Sequence, residues 1–124
     1  LLNRELEREM WPAQRDQGFG VMTYSPLGVG LLSGAYTAGQ AAPSGTLYAT
    51  VRAGHLAKEM NAIAQATLKL LREIANTHGK TPAQTAINWV LSHPEVNMAI
   101  TGGDTVAHME DNDLELYYLS KEKF

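Results

Sequence analysis

At 124 residues, 44% apolar and 19% charged, the chain has the material for one domain with a core and is too rich in core formers for global disorder. A net charge of −3 supplies no basic field for phosphate backbones or anionic lipid, which argues against a nucleic-acid or membrane-surface protein. Zero cysteines exclude a disulfide framework, a zinc–thiolate site and a thiol nucleophile, a composition that fits a cytoplasmic protein.

In chain order, Leu1-Leu2-Asn3 carries no methionine, no basic leader and no apolar run, so no targeting segment is signalled and the chain reads as a fragment or processed piece. Residues 5–17 are dense in Glu and Arg, with Glu5/Glu9 and Arg4/Arg8 at helical spacing and Gly18 as the stop. Pro12 predicts a short helix starting near it. Residues 19–24, a nearly uniform apolar run between Gly18 and Pro26, read as a parallel-sheet strand buried on both faces. Residues 25–54, rich in Gly, Ala, Ser, Thr and Pro and without period, far exceed the usual connection of about 4–6 residues and predict a functional loop.

Helical period returns over residues 59–78, where Ile63, Thr67, Leu70, Leu71, Ile74 and Ala75 share a face and Gly79 supplies the stop. Thr81, Pro82 and Gln84 then form a capping box for a second helix with Ala83, Ala86, Ile87, Val90 and Leu91 as its buried stripe, ended by Pro94. Residues 96–101 are a further short strand running into Gly102-Gly103-Asp104-Thr105, where Asp104 or Thr105 caps a third helix reaching Leu114. Ser120 to Lys123 reads as one more cap.

Two successive β-then-α units argue for an α/β fold with a parallel sheet, in which ligands gather at the carboxyl ends of the strands. That rule singles out residues 24–34 and 101–112. Tyr24-Ser25-Pro26-Leu27-Gly28 offers an aromatic plane for a planar ring, a hydroxyl and a backbone fixed by proline, and equally fits a plain strand end with a stacked tyrosine. Gly28-Val29-Gly30 is not a dinucleotide fingerprint, since Ser33 stands where a third glycine belongs, and no Walker sequence occurs. Gly102 and Gly103 let a backbone approach a phosphate, whereas Asp104 opposes an anion there and fits a capping role. His108, Asp111 and Asn112 share a helical face that either meets a heterocycle edge or is simply solvated. His55, His78 and His93 lack ligand spacing, so no metal site is expected; Glu5, Glu7 and Glu9 read as a solvated face, Trp89 as core and Trp11 as packing.

Taken together, these pieces resemble the carboxyl-terminal half of aldo-keto reductases, in particular the bacterial and potassium-channel-β-subunit-like branch. Leu1-Leu2-Asn3-Arg4 looks like the segment after the sixth barrel strand, GFGVMTYSPLGVGLLSGAY (18–36) like the seventh strand and its loop, GKTPAQTAINWVL (79–91) like the penultimate helix, and ITGGDTVAHMEDN (100–112) like the eighth strand and the adenosine-binding helix. The resemblance implies the carboxyl-terminal portion of a (β/α)8 barrel, incomplete here, spanning residues 1–124 with the cofactor-side loop at 25–54. It further implies an enzyme reducing aldehydes or ketones by hydride transfer from NADPH, with a small carbonyl compound as substrate, no metal, and neither nucleic acid nor membrane as partner. Tyr24 would stack on the nicotinamide, with Ser25, Pro26, Leu27 and Gly28 along the pyrophosphate path. Gly102, Gly103, Asp104 and His108 would meet the adenosine phosphate, and Asp111 and Asn112 would hold the adenine.

The family's catalytic Asp, Tyr, Lys and His come from the first four strands, so none is expected in this chain, and Tyr24 is not the catalytic tyrosine. Ala35 stands where relatives often carry a lysine, Leu47 where they often carry an arginine, and His108 where glutamine or arginine is common. Losing such cations removes charge-assisted bonds to phosphate, about twice as strong as neutral ones, and predicts weaker cofactor retention with NADH possible beside NADPH. Two further readings are a low-turnover regulatory or redox-sensing subunit and a truncated chain without independent activity. Two strands cannot close a barrel, so the isolated chain is expected to expose strand edges and aggregate.

Overall fold

The computed structural model describes residues 1–112, which form an α/β arrangement of five helices and a two-stranded parallel sheet. Helix α1 is Met10–Gln17 and β1 is Val21–Tyr24; α2 (Leu56–Glu59), α3 (Ala62–Thr77), α4 (Pro82–Leu91), β2 (Val96–Ile100) and α5 (Val106–Asp111) follow. The expected extension of the last helix to Leu114 and the cap at Ser120 lie outside the described residues. Helix α1 begins two residues ahead of Pro12, which sits in the first turn, where the missing N–H costs no hydrogen bond. Gly18 closes it with φ +71, its N–H reaching the Gln14 carbonyl at 2.8 Å.

β1 and β2 pair in register from Met22↔Met98 to Tyr24↔Ile100. At the entry, Val21 pairs with Val96 and Asn97 is the extra residue of a bulge; the Asn97 side-chain oxygen accepts the Val21 N–H at 2.7 Å. Burial on both strand faces is not what the structure shows. Val21 and Val96 are covered and α4 packs on β2, but Met22, Tyr24, Met98 and Ile100 present an open apolar face. A uniformly apolar strand fits a covered position equally on either side, so composition did not distinguish the open face.

The core lies between the 25–54 segment and α3 and α4. The short 3-10 turns Leu31–Ser33 and Leu47–Ala49 carry Leu31, Leu32 and Tyr48 inward, where they meet Tyr36, Leu56, Met60, Leu68, Leu71 and Ala86. Tyr36 and Tyr48 meet edge to face at 5.0 Å between centroids. The helix expected over 59–78 is α3, which starts at Ala62 because Asn61 caps it by accepting from the Ile63 and Ala64 N–H groups at 3.0 and 3.1 Å; the short α2 ends ahead of it at Glu59. Its buried stripe is Ala64, Leu68, Leu71 and Ala75, whereas Ile63 and Leu70 face outward. Small alanines let α3 approach the loop core, and this packing overrides the bulkier residues of the neighbouring face. On α4 the capping box forms as expected; Val90 and Leu91 are half-buried, and Asn88 is buried with them. Ahead of β2, His93 contacts both Trp11 and Trp89, at 4.6 and 4.3 Å between ring centroids, and buried Glu95 accepts from Arg15. No helix among the described residues is long and apolar enough to cross a membrane.

Candidate functional site

The Tyr24↔Ile100 pairing brings the carboxyl ends of both strands to one level. Past Tyr24 the backbone coils through positive φ at Ser25 (+51), Gly28 (+57), Val29 (+59) and Gly30 (+84). For glycine this conformation is free of Cβ strain, but for a β-branched valine it is a strained state costing on the order of 1–3 kcal/mol, retained where surrounding packing fixes it. That packing is visible: the Gly28 N–H reaches the Ser25 carbonyl and the Leu32 N–H the Leu27 carbonyl, each at 2.9 Å, which drives Leu31 and Leu32 into the core.

Past Ile100 the chain turns through Thr101, Gly102 and Gly103. A Cβ on Gly103 would stand 2.9 Å from His108 Cβ and 3.0 Å from the Met109 nitrogen, so only glycine permits this approach of α5, while Gly102 faces open space. Thr105, not Asp104, caps α5 by accepting the His108 N–H at 3.1 Å, which leaves the Asp104 carboxylate out of the cap. The Asn112 amide donates to the Gly102 carbonyl at 3.3 Å, and the Thr81 hydroxyl donates to Asp111 at 3.0 Å while also capping Gln84 at 3.1 Å. A single threonine thus ties α4 to α5.

These two segments wall one cavity of about 840 Å³, within the range of small-molecule sites. Of the eleven residues singled out in the sequence, Tyr24, Ser25, Pro26, Leu27, Gly102, Gly103, Asp104, His108, Asp111 and Asn112 line it. Gly28 does not; it lies against Leu2 and serves the turn. The wall also includes residues outside those eleven, among them Gly30 and Gly34 within the singled-out 24–34 segment, Tyr36 and Leu47 in the loop, and Thr46 and Ala83, for which the sequence reading assigned no site role. Within an aperiodic loop no spacing marks which residues turn inward. Pro82, at the first turn of α4, packs beside Gly34: a Cβ on Gly34 would stand 3.1 Å from the proline ring.

Behind the loop, the buried Tyr48 hydroxyl donates to Glu59, which also accepts from Arg52, and the Arg52 guanidinium lies 5.6 Å from the Tyr48 ring. Burial first, then the Glu59 carboxylate, push the Tyr48 hydroxyl up to about 12. The Tyr48 hydroxyl, with Arg52, holds Glu59 below the ordinary carboxylate range. This trio pins the Leu47–Ala49 turn and with it Thr46 and Leu47 on the cavity wall. Among the described residues no group of three or more His, Asp or Glu side chains is placed to hold a metal ion. The cavity itself offers an aromatic plane exposed to 83% at Tyr24, apolar walls, and hydrogen-bonding edges on Asp104, His108, Asp111 and Asn112.

Residues 1–123 match the sequence model of the Aldo/keto reductase family. The chain is 34% identical over 87% of its length to a probable voltage-gated potassium channel subunit beta from Arabidopsis thaliana, covering 33% of that protein. It is 32% identical over 90% of its length to probable aldo-keto reductase 1 from Glycine max, covering 32% of it. It is 33% identical over 85% of its length to a chloroplastic pyridoxal reductase from Arabidopsis thaliana, covering 30% of that protein. The chain therefore spans about a third of the length of these relatives.

Proposed function

The chain belongs to the aldo/keto reductase family, and from that premise we propose that it forms the cofactor-side portion of a (β/α)8 barrel oxidoreductase reducing aldehydes or ketones to alcohols with NAD(P)H. When bound, the nicotinamide supplies the hydride. The observation that carries this reading is the convergence on one cavity of two strand ends far apart in sequence, with residues 25–54 as the loop over it. The cavity volume and donor set fit a dinucleotide: an exposed aromatic plane at Tyr24, glycine backbone at 102 and 103, and paired hydrogen-bonding side chains at Asp111 and Asn112.

In this reading Tyr24 stacks on the nicotinamide and fixes which ring face meets a small carbonyl substrate. Ser25, Pro26 and Leu27 flank the pyrophosphate, Gly102, Gly103, Asp104 and His108 the adenosine phosphate region, and Asp111 with Asn112 the adenine. Gly28 acts behind them through the turn. In this reading the proton donor for the substrate oxygen comes from the remainder of the barrel, as the resemblance implies, and turnover requires it. A cysteine-free composition suits a reducing cytoplasm. The likeness to channel β-subunit relatives favours, as a second reading, a cofactor-binding regulatory subunit of low turnover.

Titration of the protein that carries this chain with NADH and NADPH, followed by nicotinamide fluorescence, tests the binding role. Saturable binding that weakens in Tyr24→Ala and Asn112→Ala is expected; absence of saturable binding by either nucleotide overturns it. Turnover of an aldehyde by the protein that carries this chain separates the reductase from the regulatory reading.

A further inference from the structure

The charges on the cavity wall distinguish two ligands of nearly equal shape. Among the described residues lining it, the formally charged side chains are Asp104 and Asp111, and neither lysine nor arginine is present. The cations that reach the adjoining loop are engaged: Arg72 donates to the carbonyls of Gly34 and Tyr36 at 3.2 and 3.3 Å, and Arg52 donates to Glu59. The two carboxylates differ in their commitments. Asp111 accepts the Thr81 hydroxyl, whereas Asp104 is exposed and, with Thr105 capping α5, is not held as a cap.

We infer that the cavity takes the dinucleotide with a free adenosine 2′-hydroxyl, NADH, in preference to the 2′-phosphorylated NADPH, and that Asp104 is the discriminating residue. This rests on the dinucleotide reading of the cavity. A carboxylate accepts a hydrogen bond from a ribose hydroxyl, whereas a phosphate is held by charge-assisted bonds from a guanidinium or ammonium group. A phosphate monoester carries about −1.5 to −2 charge at neutral pH, so beside an unpaired carboxylate it meets repulsion and finds no side-chain cation on the described wall to offset it. The same carboxylate would gain a charge-assisted bond from the hydroxyl.

The test is a direct binding titration of the protein that carries this chain with NADH and NADPH, repeated with 5′-ADP and 2′,5′-ADP as competitors that report the adenosine end alone. At low salt NADH should bind at least about tenfold more tightly, equivalent to 1.4 kcal/mol. The ratio should shrink as salt screens the repulsion. Asp104→Asn, an exposed and nearly isosteric change, should bring the two nucleotides to within about threefold, and Asp104→Lys should invert the preference. A thermal melt matching the parent's confirms that the variants are folded. Tighter binding of NADPH by the parent, or a ratio unmoved by Asp104→Asn, overturns the inference while leaving the dinucleotide reading intact. Failure of either nucleotide to bind overturns both.

Discussion

The loop at 25–54 and the sheet exchange the roles their secondary structure suggests. The loop, with only two short 3-10 turns, buries Leu31, Leu32, Tyr36 and Tyr48 to 4% exposure or less, while the strands leave Met22 at 65% and Tyr24 at 83%. Regular hydrogen bonding and tight packing are separate properties: a ladder satisfies backbone groups whether or not a face is covered, and a glycine-rich segment packs well when its turns aim leucine and tyrosine at a helix pair. The cavity lies at the junction. Its loop-side wall is fixed by the core, and its strand-end wall by the β1–β2 ladder together with the Asn112–Gly102 and Thr81–Asp111 bonds.

The sharpest way to break this contrast is to truncate one apolar residue on each side. Leu32→Ala removes a side chain at 1% exposure and should cost about 2–5 kcal/mol in denaturant unfolding, whereas Met22→Ala on the open face should stay within about 0.5 kcal/mol. Equal losses would mean that the open sheet face is covered in solution.

A second probe is Tyr48→Phe, which deletes the hydroxyl holding Glu59 and should cost about 1–3 kcal/mol through the partner left short of a donor. It carries a pH signature. With the folded Tyr48 pushed up to about 12, its contribution is complete below the ordinary tyrosine value near 10 and is lost as pH rises toward 12, because above 10 the unfolded chain releases a proton that the folded chain retains. Glu59 works in the opposite direction: its value is held down, so its contribution is complete above about 4.5 and is lost as pH falls through the lowered value. Thermal melts between pH 7 and 11.5 should therefore show an alkaline decline that Tyr48→Phe flattens. A decline of unchanged size in the variant would assign it to another group.

Thr81→Ala reaches across both regions. Its hydroxyl caps α4 and donates to Asp111, so the loss should be about 0.5–2 kcal/mol in stability, accompanied by weaker nucleotide binding from a freed α5. Thr81→Ser keeps both bonds and should restore both properties. Stability loss without any change in binding would separate α5 from the cavity.

What was legible in the sequence follows the same division. Helix-end chemistry carried well: the Thr81-Pro82-Gln84 box and the Gly18 stop fall where spacing put them, because each depends on contacts within a few residues, and β1 ends at Tyr24 as expected while β2 ends at Ile100, one residue short of the expected span. The α3 face carried in part: Leu71 and Ala75 are buried as expected, while Ile63 and Leu70 are exposed. Ile63, Leu70 and Ile74 make its apolar arc broad enough to support two faces, and only the loop core selects Ala64, Leu68, Leu71 and Ala75. Burial of Glu95 and Asn88 was equally hidden, since each depends on its tertiary surroundings: Glu95 meets Arg15, eighty residues away in sequence, and Asn88 lies on the packed side of α4. Among the predicted site residues, those on the wall lie just past the strand ends or along α5 to its C-cap Asn112, where the β-then-α topology aims the chain at the cavity.

The smallest expected effect on folding is the most telling for function. Gly102 has ordinary negative-φ backbone freedom and nothing within 4 Å of a built Cβ, in contrast to Gly103, whose Cβ would collide with α5. Gly102→Ala should therefore leave stability within about 0.5 kcal/mol, or raise it slightly by restricting the unfolded chain. A methyl group on a cavity-lining glycine nevertheless holds any ligand phosphate off the backbone, and nucleotide affinity should fall about tenfold, 1.4 kcal/mol. Unchanged affinity, measured in the same titration as the parent, would place the ligand's phosphates away from the β2 end of the cavity. An affinity loss matched by an equal stability loss would mean that Gly102, like Gly103, is held by packing and not by the ligand.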